Sequence, residues 1–388
     1  MYNILTLNAI SKKGLAKLPA GEFNVGDKMD DPDGIIVRSA EMHNYEPPKS
    51  LLAVARAGAG TNNIPVEEYA DKGIVVFNTP GANANAVKEL IVCSLLLSSR
   101  KIVEAYEWTK TLKGKEDIDK LVEAGKKQFA GPEILGKKLG VLGLGAVGVQ
   151  VANAAVALGM DVVGYDPFLS VKSAWHISGE VKLATTVEDV FEACDYVTIH
   201  IPQNPSTKGM FNKELLAHAK KGCRLLNFSR GGLVVDDDIK AALADGTLSK
   251  YVTDFASDTL LGLENVITLP HLGASTPESE ENCAVMAAQE INDFLKYGNI
   301  RNSVNFPNCE AAYIGKPRVT IAHRNIPNMV GSITGVFSKD NLNIDNMINK
   351  SKGNWAYTII DLDSFAGKKD SIAQDLSKLE GVVKARVI

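Results

Sequence analysis

Cysteine is scarce in this 388-residue chain, and what there is does not pair up. The five residues, Cys93, Cys194, Cys223, Cys283 and Cys309, are odd in number, widely spaced and contain no C-x-x-C. That excludes a disulfide scaffold and leaves buried free thiols as the expectation, which fits a reducing compartment. Positive charge is not in excess either. Lys and Arg number 42 against 46 Asp and Glu, for a formal net charge of −4, so the chain lacks the basic face of a nucleic-acid or membrane-surface binder. An anionic ligand must therefore be held by local cations. The longest apolar run, near L-I-V-C-S-L-L-L, is too short to span a bilayer. The opening M-Y-N-I-L-T-L-N lacks the basic region and long apolar core of a signal peptide. The expectation is a cytoplasmic protein without membrane partner, nucleic-acid partner or metal. What remains is ordinary globular material, 45% hydrophobic and 23% charged, at a length suited to two or three domains.

Short apolar runs separated by helix-length gaps dominate. In the first hundred residues the strand candidates are Y-N-I-L-T-L, G-I-I-V-R-S, L-L-A-V-A-R-A-G and G-I-V-V-F-N-T-P, a pattern that predicts a parallel sheet covered on both faces. Residues 86–100 read as a mostly buried helix, and the Lys-rich segment 101–127 as a polar crossover. A second series follows: K-L-G-V-L, M-D-V-V-G-Y-D, D-Y-V-T-I-H-I-P, R-L-L-N-F-S-R, K-Y-V-T-D-F and V-I-T-L-P-H. This predicts a second doubly wound α/β domain. A helix over 278–297 would carry the chain back, and 302–317 reads as a linker.

Gly143, Gly145 and Gly148 form G-x-G-x-x-G between a strand and a helix, and the next strand ends at Asp166. That context is what a dinucleotide turn requires. Gly143 permits the tight turn, Gly145 admits a pyrophosphate, and Gly148 lets helix and strand pack closely; Ala146 and Val147 open the helix whose free N–H groups face the phosphates. Asp166 would accept the adenosine ribose hydroxyls and repel a 2′-phosphate, favouring NAD over NADP. Downstream, N-F-S-R-G-G (227–232) and L-P-H-L-G-A-S-T (269–276) each begin a loop at a strand's carboxyl end, where open α/β sheets bind ligands. An Arg and a His there suit oxidation of a hydroxy acid: the Arg grips a carboxylate with two parallel hydrogen bonds, and the His takes the hydroxyl proton.

Taken in order, I-V-R-S-A (36–40), R-A-G-A-G (56–60), N-T-P-G-A-N (78–83), G-L-G-A-V-G, F-S-R-G-G and P-H-L-G-A-S-T give a chain that resembles the D-2-hydroxyacid dehydrogenases over nearly its whole length. The resemblance is strongest to the members that act on D-3-phosphoglycerate. It implies that Arg230 orients substrate and His271 is the acid–base. Phe228, Ser229, Asp254 and Gly273 would lie beside the cofactor, Asp254 on the nicotinamide side, and Pro202 and Thr207 would cover its adenine half. Arg38, Ser39, Ala57, Gly58 and Asn83 would bind substrate, and Val87 would line the same site. Lys126 and Lys127 read better as solvated surface than as phosphate ligands. Where the family has a Glu that pairs with the His, this chain has no Glu-Pro; Asp258 is the expected replacement. The implied architecture is a discontinuous flavodoxin-like substrate domain (1–98 and 281–308) around a Rossmann NAD-binding domain (99–280).

Residues 317–388 read βαββαβ, predicting a small antiparallel ferredoxin-like sheet with both helices on one face and edges free to associate. This tail resembles the ACT regulatory domain. The resemblance implies L-serine as effector, held by His323, Asn325 and Asn343, and a homodimer or homotetramer. Asn328 stands where the family has glycine; Asn tolerates a left-handed backbone better than most residues. Two rival functions stay open: a hydroxypyruvate or glyoxylate reductase, and a non-catalytic dehydrogenase-fold protein that senses NAD.

Overall fold

The computed structural model describes residues 1–365 and 367–388. The chain forms two compact units, one of residues 1–83 with 277–388 and one of residues 84–276. In the first, β1 (Tyr2–Leu7), β2 (Phe23–Gly26), β3 (Gly34–Val37), β4 (Ala53–Arg56) and β5 (Val75–Asn78) form a parallel sheet in the order β2-β1-β3-β4-β5. This is the flavodoxin-like order. The strand β2 escapes the sequence pattern because it is an edge with only Phe23 buried. The helix Pro277–Tyr297 brings the chain back and places Ala287, Ile291, Phe294 and Leu295 against Ile4, Ile36, Ala55 and Phe77.

The second unit holds β6 (Lys138–Leu142), β7 (Asp161–Tyr165), β8 (Lys182–Leu183), β9 (Tyr196–Ile199), β10 (Cys223–Asn227), β11 (Leu248–Thr253) and β12 (Val266–Thr268), parallel in the order β12-β11-β10-β9-β6-β7-β8. This is a Rossmann sheet whose order reverses between β6 and β9. The two-residue β8 is exposed and carries no readable pattern. The helix Ala84–Ser99, expected with the first domain, belongs here instead: Val87, Ile91 and Leu95 pack with Val141, Val149, Ala152 and Ala155. The unit therefore begins at 84 and ends at 276, rather than at 99 and 280. The polar, Lys-rich segment 101–127 contains two helices, Ile102–Lys110 and Ile118–Gly125.

The last strands, β13 (Arg318–Arg324), β14 (Ile344–Lys352), β15 (Trp355–Leu362) and β16 (Val382–Val387), pair antiparallel in the order β14-β15-β13-β16. Alternation explains both faces. Val319, Ile321, Ile360 and Leu362 meet Ile333, Phe337, Ile372 and Leu376 of the helices Met329–Lys339 and Lys369–Ser377. The opposite face, with Ala322, Trp355, Tyr357 and Ile359, shares a core with Phe294, Phe306 and Ala311. Such sharing is why the tail clusters with residues 1–83 rather than standing apart. Arg318, fully buried, ties the two together. It pairs with Asp361 at 2.6 and 3.1 Å and donates to the carbonyls of Tyr297, Ala311 and Ala312 at 2.9, 3.1 and 3.0 Å, so its guanidinium is fully occupied. Four cysteines are buried and Cys93 is exposed; all are free. No helix among the described residues is long and apolar enough to cross a membrane.

Candidate active site

In the second unit the glycine turn behaves as its residue types demand. Gly143 has φ 93°, and a Cβ there would lie 2.6 Å from the carbonyl oxygen of His200. A Cβ at Gly148 would lie 1.9 Å from the carbonyl oxygen of Gly143, whereas one at Gly145 would meet nothing within 4 Å. The turn is thus closed against itself and the end of neighbouring β9, and open outward at Gly145. It feeds the helix Ala146–Ala157, whose first turn has no side-chain cap, so N–H groups there remain free for an anion. Asp166 ends β7. One carboxylate oxygen accepts the Leu144 N–H and the other the Phe168 N–H, each at 2.8 Å, which holds the acid beside the turn. The 202–207 loop is locked by Thr207, whose hydroxyl donates to the Pro202 carbonyl at 2.7 Å and accepts the Asn204 N–H at 2.9 Å.

The carboxyl ends of β10, β11 and β12 bring Arg230, Asp254 and His271 together. Buried Asn227 donates to the Arg230 carbonyl at 2.9 Å and accepts the Ser229 N–H at 3.2 Å, and the Ser229 hydroxyl donates to the Ile199 carbonyl at 2.7 Å. Phe228 sits in the core beneath. Asp254 is 2% exposed; its Oδ2 accepts the Gly273 N–H at 3.0 Å, while its Oδ1 is buried without a partner. Burial raises the Asp254 pKa, and the Gly273 N–H, His271 and Arg230 pull against that rise. His271 has φ 48°, held by its N–H to the carbonyls of Asp254 and Leu269 at 3.0 and 3.1 Å, and its exposed ring lies 5.0 Å from that of Phe255. A second histidine at this sheet end, His200, is pushed down to about 3 by desolvation. It stays neutral at working pH and is a poor proton acceptor.

Asp258 does not pair with His271 here: no hydrogen bond or ion pair joins them among the described residues, and Asp258 is exposed. The reason is local. The N–H groups of Leu260 and Leu261 fold back onto the Ser257 carbonyl at 3.1 and 3.0 Å, burying Leu260 and leaving Asp258 outward on the turn.

In the first unit, Asn8 organises the loop after β3. Left-handed at φ 73°, it accepts the N–H groups of Arg38, Ser39 and Ala40 at 3.4, 2.9 and 2.8 Å. Sequence reasoning missed it; the signal was an Asn directly after a strand, where αL is tolerated. Arg38 is ion-paired with Glu280 at 2.5 Å. The 56–60 turn is cramped: a Cβ at Gly58 (φ 156°) would lie 2.2 Å from the Arg56 guanidinium. The Ala57 N–H donates to the Val37 carbonyl at 2.7 Å, and Asn83 is half-buried at the unit's boundary.

The tail residues are not gathered within one chain. His323 is 1% exposed, with Nδ1 donating to the Arg324 carbonyl at 2.8 Å and Nε2 against the Thr358 hydroxyl at 2.9 Å. Asn325 donates to the Gly353 carbonyl at 3.0 Å, at the end of the sheet where Arg324 and Lys352 both face Trp355. Asn343 donates to Asp363 at 2.6 Å, at the opposite end, where Ile344 faces Leu362. At about 3.3 Å per residue these ends are roughly 20 Å apart. No group of three His, Cys, Asp or Glu among the described residues could hold a metal.

Residues 92–273 match the model of the D-isomer specific 2-hydroxyacid dehydrogenase NAD binding domain. The chain is 30% identical over 369 residues to a D-3-phosphoglycerate dehydrogenase of Haemophilus influenzae, covering 90% of this chain and 84% of that one. It is 35% identical to one from Methanocaldococcus jannaschii over 75% of this chain and 55% of that one. Among solved structures, an NAD+-bound 3-phosphoglycerate dehydrogenase of Entamoeba histolytica superposes with a TM-score of 0.61 at 25% identity, over 78% of this chain and 98% of that one. The chain belongs to the D-isomer specific 2-hydroxyacid dehydrogenase family. It spans little more than half the length of several D-3-phosphoglycerate dehydrogenases it matches, 55% and 54% of those from M. jannaschii and Rattus norvegicus.

Proposed function

We propose that the protein oxidises D-3-phosphoglycerate to 3-phosphohydroxypyruvate with NAD, the entry to L-serine synthesis. The observation that carries the reading is the grouping of Arg230, Asp254 and His271 at one sheet end whose glycine turn is open at Gly145. The similarity to D-3-phosphoglycerate dehydrogenases supplies the substrate. The residues present fit NAD. The 143–148 turn would hold the pyrophosphate, Asp166 the ribose, the 202–207 loop the adenine half, and the orphaned Asp254 Oδ1 can accept from a carboxamide N–H. NAD supplies the hydride acceptor. Arg230 grips the substrate carboxylate and His271 removes the hydroxyl proton. With Asp258 turned outward, Asp254 is the buried carboxylate that acts electrostatically with His271. On this reading Arg38, Ser39, Ala57, Gly58 and Asn83 bind the rest of the substrate.

The tail we read as an ACT domain that senses L-serine. Asn328 adopts φ 66°, the left-handed turn the family glycine would make. Because Asn343 lies at the far end of the sheet from Asn325, a pocket using both takes them from two copies of the chain, and His323, buried with both ring nitrogens partnered, would back Asn325 rather than touch the ligand. That favours a homodimer or homotetramer. The exposed Ile102, Val103 and Tyr106 offer further apolar surface for assembly. Initial rates of NAD reduction with 3-phosphoglycerate, glycerate and lactate, each with and without L-serine, test the whole reading. Faster turnover of glycerate or lactate would reassign the substrate. Absent turnover with any hydroxy acid despite NAD binding would leave a sensor. Rates indifferent to serine would remove the effector.

A further inference from the structure

In the first unit a cavity of about 420 Å3 lies between β14 and the 302–308 segment, lined among others by Asn78, Asn302, Asn308, Lys350 and Lys352. Its size is that of a small-ligand site. Two lysines face it and no Asp or Glu lines it. Strand alternation puts them there: Met347 packs on the helix side, so Ile348, Lys350 and Lys352 turn to the other face, where Ile348 packs against the first-domain core.

The two ammonium groups lack counter-charges. Lys352 Nζ donates to the carbonyls of Ser303 and Val304 at 3.1 and 3.0 Å, which leaves one N–H free. Burial lowers its pKa, and no carboxylate offsets this. Lys350 has neither hydrogen bond nor ion pair among the described residues. Asn308 spends its carbonyl oxygen on the Asn302 N–H at 2.9 Å, leaving its NH2 for a ligand. Point-charge ammoniums two residues apart on one strand face, with amide donors beside them, suit a tetrahedral dianion. An arginine fork would instead suit a flat carboxylate.

The cavity wall also leads somewhere. Asn78 donates its side-chain N–H to the Ala59 carbonyl at 2.6 Å and its backbone N–H to the Asn302 carbonyl at 3.3 Å; the next residue, Thr79, donates to the Gly58 carbonyl at 3.1 Å. The residue lining the cavity is therefore bonded directly to the 56–60 turn.

We propose that this cavity is a second anion site that takes a phosphate dianion, free or as a small phosphate monoester, and that its occupancy is felt through Asn78 at the 56–60 turn. The coupling rests on the reading of that turn as substrate-binding; the binding itself does not.

The test uses the full chain without NAD or substrate. Thermal unfolding is followed against inorganic phosphate and, separately, glycerol 2-phosphate at constant ionic strength, for the unaltered protein, Lys350→Ala and Arg38→Ala. Lys350 is exposed and unbonded, so its removal leaves the fold intact, which an unchanged Tm without phosphate verifies. The expected result is a saturable rise in Tm in the unaltered protein and in Arg38→Ala, with apparent affinity weakened about tenfold or more in Lys350→Ala. Protection by one probe alone identifies the source as free or esterified phosphate. No protection, equal protection in Lys350→Ala, or protection lost in Arg38→Ala overturns the site. In the assay with 3-phosphoglycerate, the KM should shift with glycerol 2-phosphate in the unaltered protein and cease to shift in Lys350→Ala; an equal shift in both overturns the coupling. A protein that oxidises no phosphoglycerate but shows the Lys350-dependent protection loses the proposed function and keeps the anion site.

Discussion

Two histidines divide the molecule into contrasting regions. His271 sits on a left-handed backbone, exposed, its ring touching Phe255 with no hydrogen bond to either nitrogen among the described residues. His323 sits inside a regular strand, 1% exposed, with both ring nitrogens partnered. A proton-transfer group must be reachable and have a free nitrogen, whereas a core histidine must satisfy both. The difference teaches that a His-containing motif acquires its chemistry from burial and partners. On these grounds His271 fits the proposed proton transfer, and His323 spends both ring nitrogens inside the tail's own sheet.

The largest expected effect separates the two outright. His271→Asn keeps a residue tolerant of φ 48° and removes the proposed base, so kcat for hydroxy-acid oxidation should fall by roughly 10²–10⁴ with Tm unchanged. A similar loss from His323→Ala would break the comparison. That second substitution should instead strand the Arg324 carbonyl, while the Thr358 hydroxyl keeps its bond to Asn349, and cost about 1–3 kcal/mol in denaturant unfolding, with kcat nearly intact.

Glu290 sharpens the contrast with an acid. It is 6% exposed, accepts from Asn302 at 2.8 Å, and is raised by burial from 4.5 to about 8. Its folded pKa lies above its unfolded one, so the native state holds the proton more tightly. The stabilisation is complete below about pH 4.5 and is lost as pH climbs to about 8. Glu290→Gln should flatten the decline of Tm across that window; an unchanged slope would show that Glu290 ionises freely. The smallest effect belongs to Asp258→Asn, for which kcat should stay within about twofold at every pH, because an exposed charge without contact to the imidazole is worth little. A large loss there would mean that the turn at Ser257 rearranges to bring Asp258 to His271.

Much of the fold was legible because it is locally encoded. The runs that became β3, β4, β9, β10 and β11 are mostly apolar and mostly buried since both faces of a parallel sheet are covered. By contrast β2 and β8, at the edges, carry almost no burial and left no signal. Asn8 and Asn227 were missed as organisers because a single Asn after a strand shows where a turn is, not whose N–H groups it will collect.

By itself the sequence determined the strand-turn-helix units, the glycine turn at 143–148 and the left-handed turn at Asn328. Each depends on sterics within a few residues, where side-chain type alone decides which backbone angles are allowed. Only the tertiary structure decided that Asp254 is buried while Asp258 turns outward, that the helix Ala84–Ser99 joins the Rossmann unit, and that the tail packs into the first domain's core around buried Arg318. Those outcomes turn on burial and on pairs of groups distant along the chain, and desolvation is a property of the packed molecule that no local spacing contains.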